Sequence, residues 1–209
     1  MVKHPVLSKQ DQALIEQAVK RAEAETSGEI LTVVARQSDH YLAKSLGLSI
    51  VAGFTAGLLA HLWNPVYGYD RLTLIEMAAL LVTLAMLQFT SLHIRLVPPS
   101  RRRRAVRRLA HEQFTLHGLH RTSHRASILI LLSLNERCVE LIADTGIDTK
   151  VEQAAWKQIA DRLAADIRAK GPGLALANAV DACAVLLKAH FPAVPGASND
   201  LPDAPVLLD

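Results

Sequence analysis

The sequence is poor in several things that would have announced a common function. It has two cysteines in 209 residues, Cys138 and Cys183, so a disulfide-built secreted scaffold is excluded, and no Cys-x-x-Cys metal motif occurs. Both read as small apolar core residues in a reducing compartment. Aromatics make up only 4% of the chain, too few for stacking on nucleic-acid bases. The first residues, MVKHPVLSKQDQ, contain no apolar stretch of the kind a cleavable signal peptide needs. There is no Gly-x-Ser-x-Gly, Walker A, His-Glu-x-x-His or Gly-x-Gly-x-x-Gly pattern, and no internal repeat. Half of the residues are apolar and the mean hydropathy is +0.19, high for an ordinary soluble domain and far too high for a disordered chain.

The apolar excess is concentrated in two runs. Ser45 to Trp63 holds no Asp, Glu, Lys or Arg, and at about 1.5 Å per residue it makes a helix of roughly 28 Å. Leu72 to Ile94 holds one formal charge, Glu76. Both are long enough for a hydrocarbon layer about 30 Å thick, and a chain of this size has too little protein to bury two helices that are apolar all round. The connector Asn64–Arg71 (NPVYGYDR) carries turn residues and the boundary-loving Tyr67 and Tyr69, beside Trp63. The reading is a transmembrane helical hairpin, residues 45–95, with small residues Gly47, Gly53, Ala56 and Gly57 suited to close packing of the spans. His61 and Glu76 both fall near the outer boundary. They either hydrogen-bond and fix the register of the spans or snorkel independently to water.

Charge placement orients the hairpin. Residues 101–125 hold eight arginines and one glutamate, whereas residues 126–209 hold seven basic and eleven acidic groups. The basic excess is therefore local to the exit of the second span, and it puts both termini in the cytoplasm, with the chain in a cell inner membrane. Arg101, Arg102, Arg103, Arg104, Arg107 and Arg108 are the expected contacts to anionic membrane lipids, each worth about 1 kcal/mol near the surface. A nucleic-acid partner is not expected of this run.

The rest reads as one domain in two pieces. In residues 1–44, Ser8 caps an amphipathic helix over 8–25, Ser27-Gly28 breaks it, Glu29–Ala35 forms a strand, and Ser38-Asp39 is placed to start a short helix. In residues 96–190, an Arg-rich helix runs from Ser100 to about His117, with Gly118 closing it. Ser127–Leu134 is apolar on both faces and reads as a central strand, followed by a turn at 135–137 and an antiparallel strand Cys138–Ala143. Helices over Thr149–Lys170 and Leu174–His190 follow, and the Pro-rich residues 191–209 read as a flexible tail. One helix and one strand cannot bury their own apolar faces, so the first piece must pair with the second, and the hairpin is an insertion into a single α/β domain.

Candidate chemistry is sparse. Asp144-Thr145-Gly146 lies past a strand end, where a carboxylate can either hold a hard cation or cap a turn. Glu29 and Glu136 could join it in space, although Glu136-Arg137 also reads as a solvated turn pair. His117, His120 and His124, with His111 upstream, have zinc-like spacing but are interrupted by Gly118. Asn178 and Asp181 on the last helix read as solvated.

The residues Thr26-Ser27-Gly28-Glu29-Ile30, the strand pair from Ile128 to Ile147 (ILILLSLNERCVELIADTGI) and His190-Phe191-Pro192 resemble the TPM domain family, in particular its bacterial membrane-protein branch. The resemblance covers about residues 8–36 and 110–190. It implies a small α/β/α sandwich, associated in that family with phosphatase activity and divalent cations in some members and with assembly or repair of membrane complexes in others. On that basis Asp144, and more weakly Asp148, are candidate ligands for Ca²⁺ or Mg²⁺. The expected function is an interaction and assembly module at the inner membrane, with membrane lipids and a membrane-protein partner. A divalent-cation-dependent phosphatase-like hydrolase is the alternative.

Overall fold

The computed structural model describes residues 6–39, 42–89, 97–122, 125–194 and 201–208. The chain separates into two compact units: residues 1–38 with 100–209, and the intervening 39–99.

The first unit begins with α1 (Lys9–Glu25). Ser8 caps it as expected, its hydroxyl accepting from the Asp11 amide at 3.0 Å. Ile15, Ala18, Val19 and Ala22 form its buried stripe. The turn that follows is held from inside: Thr26 Oγ1 accepts from the Gly28 N–H at 3.2 Å and donates to the Gly28 carbonyl at 3.1 Å. Gly28 has no room for a side chain. A Cβ there would lie 2.8 Å from the Ala126 carbonyl oxygen and 2.6 Å from Leu187 Cδ2.

The chain then enters β1 (Ile30–Ala35), which pairs in parallel with β2 (Ile128–Ser133), and β2 pairs antiparallel with β3 (Cys138–Ala143). Every residue of β1 and β2 is buried, so these are the central strands. Alternation divides them between two cores. Ile30, Val34, Ile128, Ile130 and Leu132 face the layer made by α1 and the late helices. Leu31, Val33, Leu129 and Leu131 face Val106 and Ala110 of α4 (Pro99–Leu116). Each such side chain contributes about 1.5–3 kcal/mol by leaving water.

Beyond β3 the structure differs from expectation. The helix expected over 149–170 starts four residues later, as α6 (Gln153–Lys170), and an unexpected single turn, α5 (Thr145–Asp148), precedes it. Asp144 caps α5, and Thr149 Oγ1 donates back to the Thr145 carbonyl at 3.0 Å, which closes that turn. Val151 then drops into the core and separates the two. Gly171, at φ +85°, joins α6 to α7 (Pro172–His190), which starts at the proline. The tail is a further correction. Val206–Leu208 forms β4, parallel to β1, giving the sheet order β3-β2-β1-β4. The reading of 191–209 as flexible followed its prolines and missed that Val-Leu-Leu is a good strand and that β1 would otherwise present an open edge. Residues 195–200 lie outside the described residues.

The second unit is a helical hairpin of α2 (Leu42–Trp63) and α3 (Tyr69–Phe89). The tip is an Asn turn, in which Asn64 Oδ1 accepts from the Val66 N–H at 3.1 Å. Gly53 and Gly57 face α3: a Cβ on Gly53 would sit 3.0 Å from the Glu76 carbonyl oxygen, and one on Gly57 would overlap the Glu76 side chain. By length and composition alone, two stretches among the described residues could cross a bilayer, Ser45–Trp63 and Pro172–His190. The second is a core helix of the first unit, with 44% of the stretch buried. The expected span to Ile94 runs beyond the described part of α3.

Candidate functional site

The strand-end carboxylate Asp144 is buried at 4% exposure, and its charge is met by protein. Its backbone N–H donates to the Ser127 carbonyl at 2.8 Å, which fixes it at the end of β3 beside the start of β2. Arg125 forks onto it, Nε to Oδ2 at 2.8 Å and Nη2 to Oδ1 at 3.1 Å, and Nη2 also donates to Thr145 Oγ1 at 3.1 Å. The Thr145 amide donates to Oδ1 at 2.7 Å. Arg125 adopts this position at φ +51°, the left-handed region that costs a non-glycine residue energy. The ion pair in turn raises the guanidinium pKa further.

This geometry does not fit a divalent cation at Asp144. A hard cation takes six to eight oxygens, whereas both oxygens here are engaged by nitrogen donors and the neighbouring charge is positive. Asp148, at the other end of α5, accepts from Gln153 Nε2 at 2.8 Å. Among the described residues no group of three or more His, Cys, Asp and Glu is placed to hold a metal. His117 and His120 flank Gly118, whose φ of +68° ends the helix, and His120 Nε2 accepts from Arg121 Nε at 3.3 Å. His124 lies outside the described residues.

The other acids part company. Glu29 stands at the same end of the sheet as Asp144, because Ile30, Ile128 and Ala143 are in register, but two strands away. Glu136 lies at the opposite end. It is 1% exposed, accepts from the Ser38 N–H at 2.9 Å and takes the Ser133 hydroxyl hydrogen. The expected solvated pair is therefore half wrong: Arg137 is exposed, but Glu136 is a buried anchor joining the ends of β1 and β2. Asn135 N–H donating to the Arg36 carbonyl at 2.9 Å completes that junction.

A second acidic group had no signal in the sequence. Glu23 of α1, Glu29 and Asp203 of the tail meet near the entry to β1, with Lys20 Nζ 3.9 Å from Asp203. Burial, then the charge of Glu29, pushes the Glu23 carboxyl up to about 8, although the Ile30 amide donating to it at 3.3 Å pulls the other way. Some 180 residues separate Glu23 from Asp203, so no local pattern could pair them. Asp181 is exposed as expected, with Arg21 3.2 Å away, whereas Asn178 is half-buried and donates to Asp166 at 3.4 Å. They rim a groove of about 620 Å³ between α6 and α7, floored by Ile159, Leu163 and Ala179, which holds no nucleophile with an adjacent base.

The arginines behave as one face of a helix. Ala105, Val106, Ala110 and Gln113 of α4 are buried, Arg101, Arg103, Arg104, Arg107 and Arg108 are exposed, and Arg102 is half-buried. Arg107 lies 3.8 Å from Glu140 of β3. Burial raises the Glu140 carboxyl, against the opposing pull of Arg107, His111 and Arg103. A cavity of about 290 Å³ runs beside β3, between Arg103 and Val106 on one side and Lys157 and Asp161 on the other. Cys138 opens onto it, its thiol pushed up by burial more than Arg102 and Arg103 lower it. In the hairpin, Glu76 packs over Gly57 while His61 is exposed, and no hydrogen bond joins them among the described residues.

The two stretches that carried the family resemblance meet in space. The Ser27 amide donates to the Phe191 carbonyl at 3.0 Å, and Thr26 bridges Pro192. Comparison with known proteins supports the TPM domain and its fold, and does not extend to the membrane-protein branch. The solution structure of the BA42 protein from the psychrophilic bacterium Bizionia argentinensis superposes with a TM-score of 0.60 at 14% identity, covering 99% of this chain and 98% of that one, a likeness of fold. No curated protein matches the chain. The family model for the TPM domain matches residues 79–186, a span that takes in β2, β3 and their helices but leaves α1 and β1 outside. That span exceeds half of the 209 residues, and the chain belongs to the TPM domain family.

Proposed function

We propose that the chain is a two-pass inner-membrane protein whose α/β unit lies on the cytoplasmic side and acts as an interaction and assembly module. The observation that carries the reading is the outer surface of the hairpin. Phe54, Leu58, Leu62, Leu74 and Val82 are each about 60–70% exposed, on helices whose inner faces are already packed. Side chains of this size left in water forgo about 1.5–3 kcal/mol apiece, which a hydrocarbon layer restores. The hairpin hydroxyls support the same solvent. Ser49, Thr55 and Thr73 each donate to a backbone carbonyl one turn back, at 2.7–2.8 Å, so none needs water. Trp63 and Tyr69 stand fully outward at the tip, where a bilayer boundary would receive them. The arginines of α4 start two residues past the hairpin unit, and Arg101, Arg104 and Arg108, which do not border β3, form the lipid-facing collar.

The strand end favours the module over the cation-dependent hydrolase: Asp144 is paired with Arg125 and caps a helical turn.

The test is sidedness. With Cys138 and Cys183 replaced by serine, Val66→Cys should react with a membrane-impermeant maleimide in intact cells, and Val194→Cys only after lysis. The reverse pattern, or equal labelling of both before lysis, would refute the topology.

A further inference from the structure

We propose that the outer edge of β3 is a docking strip that takes an extended acidic segment of a partner protein as an added strand. The proposal rests on the module reading above and names the chemistry of its partner.

The register defines which backbone groups are on offer. The Asp144 amide bonds the Ser127 carbonyl, so 127 and 144 form a directly bonded pair. Stepping by two along the antiparallel ladder, Ile142, Glu140 and Cys138 also turn their amides and carbonyls to β2. Val139, Leu141 and Ala143 therefore turn theirs outward. No further strand pairs with β3 among the described residues. All six residues of β3 are half-buried, where those of β1 and β2 are fully buried. The opposite edge of the same sheet shows the mode in use: β4 lies along β1 as a short added strand.

The charge of the partner follows from what lines the strip. Glu140 is answered by Arg107, and Asp161 by Lys157 at 3.1 Å. Arg103 and Arg137 border the same cavity; Arg103 shares its charge with Glu140 at longer range, and neither makes an ion pair among the described residues. An incoming strand carries side chains alternately to the two faces of the sheet, so acidic residues at every second position would meet the arginine layer of α4 and turn apolar ones toward α6. Arg137 sits at φ +52° on the turn, at one end of the strip, where it can meet a further acid.

The experiment uses the full chain in nanodiscs of zwitterionic lipid, with a labelled eight-residue peptide of alternating Val and Glu and a Val and Lys peptide as control. The Val/Glu peptide should bind and slow amide exchange at Val139, Leu141 and Ala143, and Arg103→Gln with Arg137→Gln, which remove the charges without reversing them beside Glu140, should weaken it at least tenfold while the amides of β1 and β2 keep their protection. Unchanged exchange at those amides under saturating peptide, or undiminished binding to the double variant, would overturn the proposal. So would protection of the same amides by phosphatidylserine vesicles and not by the peptide, which would make the strip a lipid contact. The sidedness of Val66→Cys is independent of all these outcomes, so a failed strip and a failed topology are told apart.

Discussion

Glu23 makes the stability of the α/β unit depend on pH in an unusual direction. Its carboxyl stands at about 8 in the folded chain, against an ordinary value of 4.5. An acid raised on folding binds its proton more tightly in the native state, so its contribution is fully present below the unfolded value and is lost as pH climbs through the folded one. The window is therefore about pH 4.5 to 8. At about 1.4 kcal/mol per pKa unit the shift has a ceiling of roughly 5 kcal/mol. Glu23 keeps part of its contact with water, which screens the neighbouring charges and brings the expected loss to roughly 1–3 kcal/mol. Denaturation followed through Trp156, with Trp63→Phe to silence the hairpin, should show stability falling between pH 5 and pH 8.5. Glu23→Gln keeps the shape, carries no charge and should flatten that slope. A slope of the same size in the variant would mean that the cluster of Glu23, Glu29 and Asp203 is not the source, and the reasoning would fail.

Other expectations are simpler. Gly28→Ala places a methyl against the Ala126 carbonyl and should cost about 1–3 kcal/mol in chemical denaturation, with no relief from Leu187→Ala, since the backbone contact remains. Glu136→Ala strands the part-buried Ser38 amide and the buried Ser133 hydroxyl and should lower stability by about 2–4 kcal/mol, whereas Arg137→Ala should change it by less than about 0.5. Asp144→Ala removes a cap and an ion pair, at a cost of about 1–2 kcal/mol, and millimolar Ca²⁺ or Mg²⁺ should leave the wild-type melting temperature where it was; a rise would restore Asp144 as a cation ligand. Gly57→Leu should pry the hairpin apart at Glu76 and expose it to protease in nanodiscs, whereas Gly47→Leu, with open space around it, should not.

What could be read from the sequence was whatever had a local period or a local stop. Strand β3 falls where Cys138–Ala143 was expected, because alternation and the turn at 135–137 bracket it. The cap at Ser8 and the break at Gly118 were equally legible. Insertion of a hairpin between β1 and β2 followed from the inability of one helix and one strand to bury themselves. The failures share a cause in long-range contact. Glu136 looked like a surface turn because the Ser38 amide that draws it inward is 98 residues away. Asp144 read as either a cation ligand or a turn cap; the cap was legible, but nothing in the sequence shows Arg125 folding back at positive φ to claim its charge. The tail looked idle until β1 gave it an edge to cover.

The parallel pairing of β1 has a cost in time. Ile30–Ala35 is synthesised early, yet its neighbours arrive with Ile128 and Val206, long after the hydrophobic hairpin has left the ribosome. Closing contacts over such separations is slow, and until then a six-residue strand, apolar except for Thr32, waits with both flanks bare. Completion of the sheet thus waits on synthesis of the whole hairpin, and any delay there lengthens the interval in which a nascent chain can aggregate through its first strand.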